Sequence, residues 1–486
     1  MKYFFLVFII CLSALSTKAQ QFKVSYTSSA YAGPFTGNVM LYLSKKREQP
    51  KNQLGWPCYR MEVKNIKPGE QVVFSDSSLS YPTLLSRIDR TDYYVQAVWD
   101  LNASGRIIGQ SIGNPYSGSQ KITLKDTSEI FTLVCDSAVS EQVFVDTKFV
   151  KEIKAPSALL SKFYRKPITI NAAVILPAQY YDNPSERYPI LFTVAGFSGS
   201  YIHYSSTKSS DTLPATPIDT IPCIRVYLDG DCALGHSVYA NSDNNGPVGD
   251  AFTQEFIPEL EKRFRCNGAR LIRGHSSGGW TVVYLLTHYP KFFAGGNASA
   301  PDPVDFHRFV LTDLYTDNKR VEFVDALSIG SKPAIAGVYD KPNIMHSIED
   351  IQYRGEQNVS FNAVFGPKGN NGLPEPLFNS ATSEINRKVF EHWKQYDLTQ
   401  YIIKNEKKLK VDMGNKLRIS VGNEDNAYLN FSVMLMEKEM KKRNFNIEFA
   451  YYPGTHFTVT TPEYKKAEMM FLKQKYLDWA AKNLNQ

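Results

Sequence analysis

Between an apolar strand pattern and an apolar helix pattern the chain reads Gly274, His275, Ser276, Ser277, Gly278, and few local sequences constrain a fold more tightly. Leu271 and Ile272 end the strand-like run, while Trp280, Val282, Val283, Leu285 and Leu286 open a helix directly after it. A buried strand that becomes a buried helix within so few residues has to turn sharply. That turn puts the central serine into a strained backbone conformation, and its flanks need glycine because a Cβ would strike the adjoining strand and helix. A bare GxSxG arises by chance in a chain of 486 residues on the order of one time in six, so the flanking elements carry the signal rather than the pattern. They make Ser276 a candidate nucleophile, with its hydroxyl lifted clear of the turn.

A serine hydroxyl attacks a carbonyl only when a base takes its proton. Eight histidines are available. His203 and His236 precede the elbow, His275 adjoins Ser276, and His288 lies in the following helix. His307, His346 and His392 fall in a long irregular segment. Only His456 follows a late strand, in the loop Pro453, Gly454, Thr455, His456, Phe457. It fits the chain order of nucleophile, acid and base that such an elbow requires. The acid should close the strand before it, where Arg418 to Val421 runs into Gly422, Asn423, Glu424 and Asp425. Either carboxylate could accept the imidazole hydrogen bond and stabilise the imidazolium formed during attack. Asp425, three residues beyond Gly422, is the preferred one, with Glu424 the alternative and helix capping near Ala427 a competing use of Asp425. Attack also builds negative charge on the carbonyl oxygen, which needs backbone donors. The Ser277 N–H is one candidate. The second is the Phe197 N–H, in the turn Ala195, Gly196, Phe197, Ser198, Gly199 that follows the buried run Pro189 to Val194.

Around this centre the texture after Lys154 alternates strands with helical patterns, which predicts βαβ units and a mostly parallel sheet. The predicted strands are Thr169 to Leu176, Pro189 to Val194, Ile224 to Leu228, Arg270 to Gly274, Phe293 to Asn297, Leu417 to Val421 and Asn446 to Tyr452. Helices are predicted over Ala427 to Lys442 and Glu463 to Ala481. The stretch from Ala300 to Lys410, with its Pro, Gly and Asn clusters, reads as an insertion over the carboxyl ends of the strands. Open α/β sheets place their sites there, and Asp302, Asp305 and His307 become candidate substrate-binding residues beside the bland alternative of a solvated charged turn. Ahead of Lys154, short β-rich runs such as Phe22 to Tyr26, Tyr93 to Trp99 and Glu129 to Val134 predict an antiparallel sandwich of the immunoglobulin type. Trp56, Tyr93, Tyr94 and Trp99 could serve it as a glycan platform or, more ordinarily, as core.

The chain therefore divides into residues 1–19, a β-sandwich over 20–154 and an α/β domain over 155–486 with its insertion at about 300–410. Met1 and Lys2 precede an apolar run from Tyr3 to Ser16, and Thr17, Lys18 and Ala19 follow it. This is the pattern of a signal peptide, and the run of about 14 residues falls short of the roughly 20 needed to span a bilayer. A secreted or periplasmic protein without a membrane anchor is expected. Bulky Ile10 before Cys11 argues against lipidation. Lys and Arg exceed Asp and Glu by 55 to 48, too mild a surplus to predict a nucleic-acid partner. Outside the leader the cysteines are Cys58, Cys135, Cys223, Cys232 and Cys266, an odd number. They imply no disulfide framework, with Cys58–Cys135 the one plausible pair. No CxxC or HExxH motif supports a metal site.

Tyr188 to Gly199, Phe256 to Arg265 and the elbow from Arg273 to Trp280 together resemble the putative esterase family, which includes enterochelin esterases, feruloyl esterases, esterase D and mycolyltransferases. The resemblance covers roughly residues 165 to 480 and is most specific from Ala251 through Trp280. It implies an α/β-hydrolase fold, ester hydrolysis and no cofactor. Many members carry His before Gly in the oxyanion loop, where this chain has Ala195. Ala300, Pro301, Asp302, Pro303, Val304, Asp305 and Phe306 resemble a segment of uncharacterised secreted relatives.

Residues and resemblance together predict a serine carboxylic-ester hydrolase working through an acyl-enzyme on a small-molecule or glycan ester, acylated polysaccharide among them. A peptidase of the prolyl oligopeptidase kind shares the elbow, but about 130 residues of front domain cannot hold its propeller. A glycan-binding protein on an inactive hydrolase scaffold is the alternative outside enzymes.

Overall fold

A computed structural model describes residues 20–52, 57–103, 105–125, 129–206, 214–320 and 348–484. Residues 1–19, expected to be a signal peptide, together with Trp56 and residues 321–347 of the insertion, His346 among them, fall outside them. The chain forms two compact units, one running to Val139 less Ala103–Arg106, the other made of Ala103–Arg106 and Ser140 onward.

The first unit follows from period-two burial. Phe22, Val24 and Tyr26 of the strand Gln21–Tyr26 are buried, as are Val39, Leu41 and Leu43 of Phe35–Ser44. They meet Val95, Ala97 and Trp99 of Asp92–Trp99 in one core, where Tyr26 and Phe35 abut the Trp99 ring at 4.7 and 5.0 Å. Tyr93 and Trp99 are thus core residues. A three-stranded sheet and a seven-stranded sheet supply the two sides. Pairings in the larger sheet are antiparallel, as expected. In the smaller sheet Gln21–Tyr26 pairs in parallel with Ile130–Cys135, so the unit is not the fully antiparallel sandwich read from the sequence. A parallel neighbour needs a long crossover, which the intervening strands provide. The expected Cys58–Cys135 bond is absent: the two residues lie on different sheets, buried as free thiols.

In the second unit one eight-stranded sheet carries β1 (Val150–Pro156), β2 (Thr169–Ile175), β3 (Tyr188–Val194), β4 (Ile224–Leu228), β5 (Cys266–His275), β6 (Gly295–Ser299), β7 (Leu417–Gly422) and β8 (Glu448–Tyr452). Their order is β1-β2-β4-β3-β5-β6-β7-β8. Neighbours from β4 to β8 are parallel, whereas β1–β2 and β2–β4 are antiparallel, so the sheet is mixed. Strand β1 carries no sequence mark of this sheet, because its buried residues Val150, Ile153 and Ala155 lack strict alternation and read like the short strands before it. For the same reason the boundary between units lies earlier than Lys154.

Five helices position the site: α1 (Ser277–His288), α2 (Gln357–Phe365), α3 (Arg387–Trp393), α4 (Leu429–Lys442) and α5 (Pro462–Asn483). Strand β3 is apolar on both faces, as expected of a strand covered on both sides. Ile190, Phe192, Val194 and Ile272 pack with Trp280, Val282, Val283 and Leu286 of α1, while Leu191 and Leu271 on the opposite face meet Leu472 of α5. Each such side chain, withdrawn from water, stabilises the fold by about 1.5–3 kcal/mol. The described part of the insertion shares this core. Phe365 of α2 lies 5.2 Å from Trp280, and Phe306, Phe309 and Trp393 close around it. No helix among the described residues is long and apolar enough to cross a membrane.

Candidate active site

Strand β5 ends at His275 and α1 begins at Ser277, leaving Ser276 between them at φ 58° and ψ −124°. A side chain there costs about 1–3 kcal/mol of backbone strain, which surrounding contacts must offset. Three do so directly: Ser276 N–H donates to Ser299 O (2.9 Å), and Ser276 O accepts from Trp280 N (3.0 Å) and Asp302 N (3.2 Å). The glycines of the motif are explained by approach distance. A Cβ on Gly278 would come 2.6 Å from Ala195 O and closer still to Val194 O, and one on Gly274 would strike the Gly278 backbone.

Strand β7 delivers the acid and the loop after β8 delivers the imidazole. Asp425 is buried, and its Oδ2 lies 3.0 Å from His456 Nδ1. Its Oδ1 accepts from Ala427 N at 2.9 Å and Leu429 N at 3.4 Å, so Asp425 holds the imidazole and caps the turn into α4 at once. Glu424 is exposed. The His456 N–H donates to Asn426 Oδ1 (3.2 Å), pinning the base from a second side. His275 does not point away as a neighbour of the nucleophile would be expected to. Its ring lies 4.6 Å from that of His456, its Nδ1 is 3.0 Å from Ser299 Oγ, and burial, aided by the His456 charge, pushes its pKa down to about 4. His275 is therefore neutral packing beside the base.

The loop Ala195–Gly199 borders the nucleophile. A Cβ on Gly196 would sit 3.3 Å from Ser276 Cβ, so Phe197 follows a residue in contact with the elbow. Ser277, as the first residue of α1, has an N–H that no helical carbonyl can take. Sequence reasoning missed two groups that hold the Ala195–Gly199 loop. His236 Nε2 is 3.1 Å from Ala195 O, and the Arg106 guanidinium lies 4.8 Å over the Phe197 ring, paired to Asp231 at 3.2 Å. Neither contact has a local signal, because the partners lie 41 or more positions apart in the chain.

Asp302 and Asp305 part company. Both are buried rather than solvated. Asp302 comes to the elbow: its Oδ2 accepts the Ser277 hydroxyl at 2.6 Å, and burial pushes its pKa up to about 6 against hydrogen bonds from Ser277 and Ser276 and the charge of His456. Asp305 accepts from His307 N and lies 3.0 Å from His307 Nδ1, in a cluster with Asp397 whose ligand atoms all lie within 4.8 Å of one another. That trio is the set able to approach a cation among the described residues. The Asp397 carboxylate already accepts from Phe306 N, Tyr315 OH and Gln400 N.

With Asp425 accepting a hydrogen bond from Nδ1–H, the opposite ring nitrogen of His456 is left as an acceptor. An imidazole so held and a serine strained at the elbow are two of the parts that acyl transfer requires. Among comparisons with known proteins, a family match places the chain. A family model described as "Putative esterase" matches residues 167–460, more than half of the chain. Three solved structures similar to this chain, each at 15% identity, are a ferulic acid esterase (TM-score 0.39, covering 68% of this chain and 100% of that one), the fluorophosphonate-binding serine hydrolase FphF of Staphylococcus aureus with substrate bound (0.39, 66% and 98%) and an S-formylglutathione hydrolase from Agrobacterium tumefaciens (0.37, 70% and 98%). No curated protein matches the sequence.

Proposed function

We propose that this chain, which belongs to the putative esterase family and so has an α/β-hydrolase fold, is a serine carboxylic-ester hydrolase whose triad is Ser276, His456 and Asp425. The observation that carries the reading is the buried Asp425–His456 hydrogen bond in the same unit as a serine held at φ 58°. His456 takes the Ser276 proton as Oγ attacks the ester carbonyl, and the Phe197 and Ser277 amides receive the oxyanion. The alcohol leaves with that proton, and an acyl-enzyme remains. Water, deprotonated by the same imidazole, then releases the acid and restores Ser276. No step calls on a cofactor.

Export through residues 1–19 and action on acylated polysaccharide outside the cytoplasm complete the proposal. A panel of p-nitrophenyl esters of increasing acyl length, with acetylated and feruloylated glycan fragments, tests chemistry and substrate together. Wild type should turn over esters and take a fluorophosphonate label, and Ser276→Ala should do neither. Labelling that persists unchanged in Ser276→Ala would refute the nucleophile. Turnover of aryl esters without any glycan ester would remove the polysaccharide part alone.

A further inference from the structure

We propose that His236, which lies outside the triad, is the positioning residue of the oxyanion loop and that the insertion holds it there through Ser360. The inference rests on the esterase reading for its kinetic consequence but on geometry for its substance.

His236 is buried, and both ring nitrogens are engaged. Val238 N–H donates to Nδ1 at 3.0 Å, which makes Nδ1 the acceptor and leaves the ring proton on Nε2, 3.1 Å from Ala195 O. That proton faces the Ala195 carbonyl, and the Asp229 carbonyl also lies against the ring. The peptide it fixes leads into Gly196, which touches the nucleophile, and then Phe197, whose N–H is the proposed second oxyanion donor. A peptide plane joined to a catalytic amide through the φ and ψ bonds of one residue limits that amide's direction, and oxyanion stabilisation depends on donors placed before charge develops. The ring is a steady anchor. Burial pushes its pKa down to about 4, so the tautomer is unchanged through the neutral range.

The backbone of His236 is clamped in turn. Its N–H donates to Ser360 Oγ at 2.8 Å, and Ser360 Oγ donates to its carbonyl at 2.9 Å. Ser360 is buried on α2, whose Phe365 packs against Trp280 of the helix that follows the nucleophile. The insertion thus reaches the oxyanion loop by two hydrogen-bonded steps, Ser360 to His236 to Ala195. The Ala195 carbonyl, in a loop whose own residues offer no side-chain donor to it, takes its partner from 41 positions away.

The experiment compares wild type with His236→Leu, His236→Gln and Ser360→Ala in the full chain. Activity is expressed per active site titrated by fluorophosphonate, and amide hydrogen exchange is followed over Ala195–Gly199. His236→Leu should lower kcat about 10–100-fold with KM within about twofold, a share of the 10²–10³ that one lost oxyanion donor costs. Affinity for a trifluoromethyl ketone, which mimics the tetrahedral species, should weaken by the same factor. Gln, which can still donate to Ala195, should recover most of both losses, and Ser360→Ala should fall between. Exchange at Ala195–Gly199 should accelerate in the Leu variant and not in the Gln variant. Wild-type kcat and ketone affinity in His236→Leu would overturn the inference, as would a loss that Gln does not restore. If wild type shows neither turnover nor labelling, the esterase reading fails instead. Exchange then decides the inference by itself, and unchanged protection of Ala195–Gly199 in His236→Leu overturns it.

Discussion

Replacing Asp425 by Asn changes one atom and should nearly abolish turnover, for a reason set by the other carboxylate oxygen. Asp425 Oδ1 accepts from Ala427 N at 2.9 Å and Leu429 N at 3.4 Å, while Oδ2 faces His456 Nδ1 at 3.0 Å. An asparagine can place its amide two ways. With NH2 toward the turn, it opposes two backbone donors in a buried site, and a buried donor left unpaired costs about 1–3 kcal/mol. The side chain therefore keeps its oxygen on Ala427 and presents NH2 to the imidazole. Nδ1 must then accept, which moves the ring proton to the nitrogen that should receive the proton of Ser276. The base is present but in the wrong tautomer. In serine triads this error costs about 10⁴ in kcat, or about 5.5 kcal/mol at 1.36 kcal/mol per decade. The assay is kcat on p-nitrophenyl acetate for Asp425→Asn beside Glu424→Gln, with thermal unfolding to show that both are folded. Glu424 is exposed, and its variant should behave as wild type. A folded Asp425→Asn enzyme within tenfold of wild type would falsify the assignment of Asp425 and the tautomer argument together.

Gly278→Ala puts a methyl 2.6 Å from Ala195 O, so the elbow and β3 must separate; an overpacking cost of at least about 1–3 kcal/mol and a clear drop in kcat are expected by thermal melting and kinetics. Asp302→Asn removes a carboxylate whose pKa burial pushes up to about 6 and which interacts favourably with a charged His456. Ionising that buried carboxylate weighs against the folded state, so the stability it takes from wild type as pH rises from about 4 to about 6 should be absent in Asp302→Asn; parallel Tm-against-pH profiles contradict the burial effect. Burial pushes the Cys58, Cys232 and Cys266 thiols up to about 12, so iodoacetamide at pH 8 should leave these native cysteines unmodified and alkylate them only after unfolding, as read by intact mass.

The chemistry of the site was legible because it is written in short-range syntax. A strand, a GxSxG turn and a helix are contiguous, so Ser276 and its strain follow from local sterics alone. Asp425 and His456 each follow a strand end, and chain order with strand periodicity brought them within reach of one site before any coordinates. Strand β3 was equally readable, since burial on both faces goes with the apolar run Ile190, Leu191, Phe192. Strand β1 was not, because its residues read like the small strands before it, and only pairing with β2 assigns it to the second sheet. Sequence could not choose between the capping and catalytic uses of Asp425 because one carboxylate has two oxygens, and the fold uses both. Asp305 and Asp302, three residues apart, looked alike on paper, yet only Asp302 faces the elbow. His236 and Arg106 left no trace in the pattern, for what makes them matter is a carbonyl and a ring far away in the chain. Local covalent geometry thus determined the strained serine and its turn. The orientation of everything that polarises it was decided by long-range packing, which no spacing in a single sequence records.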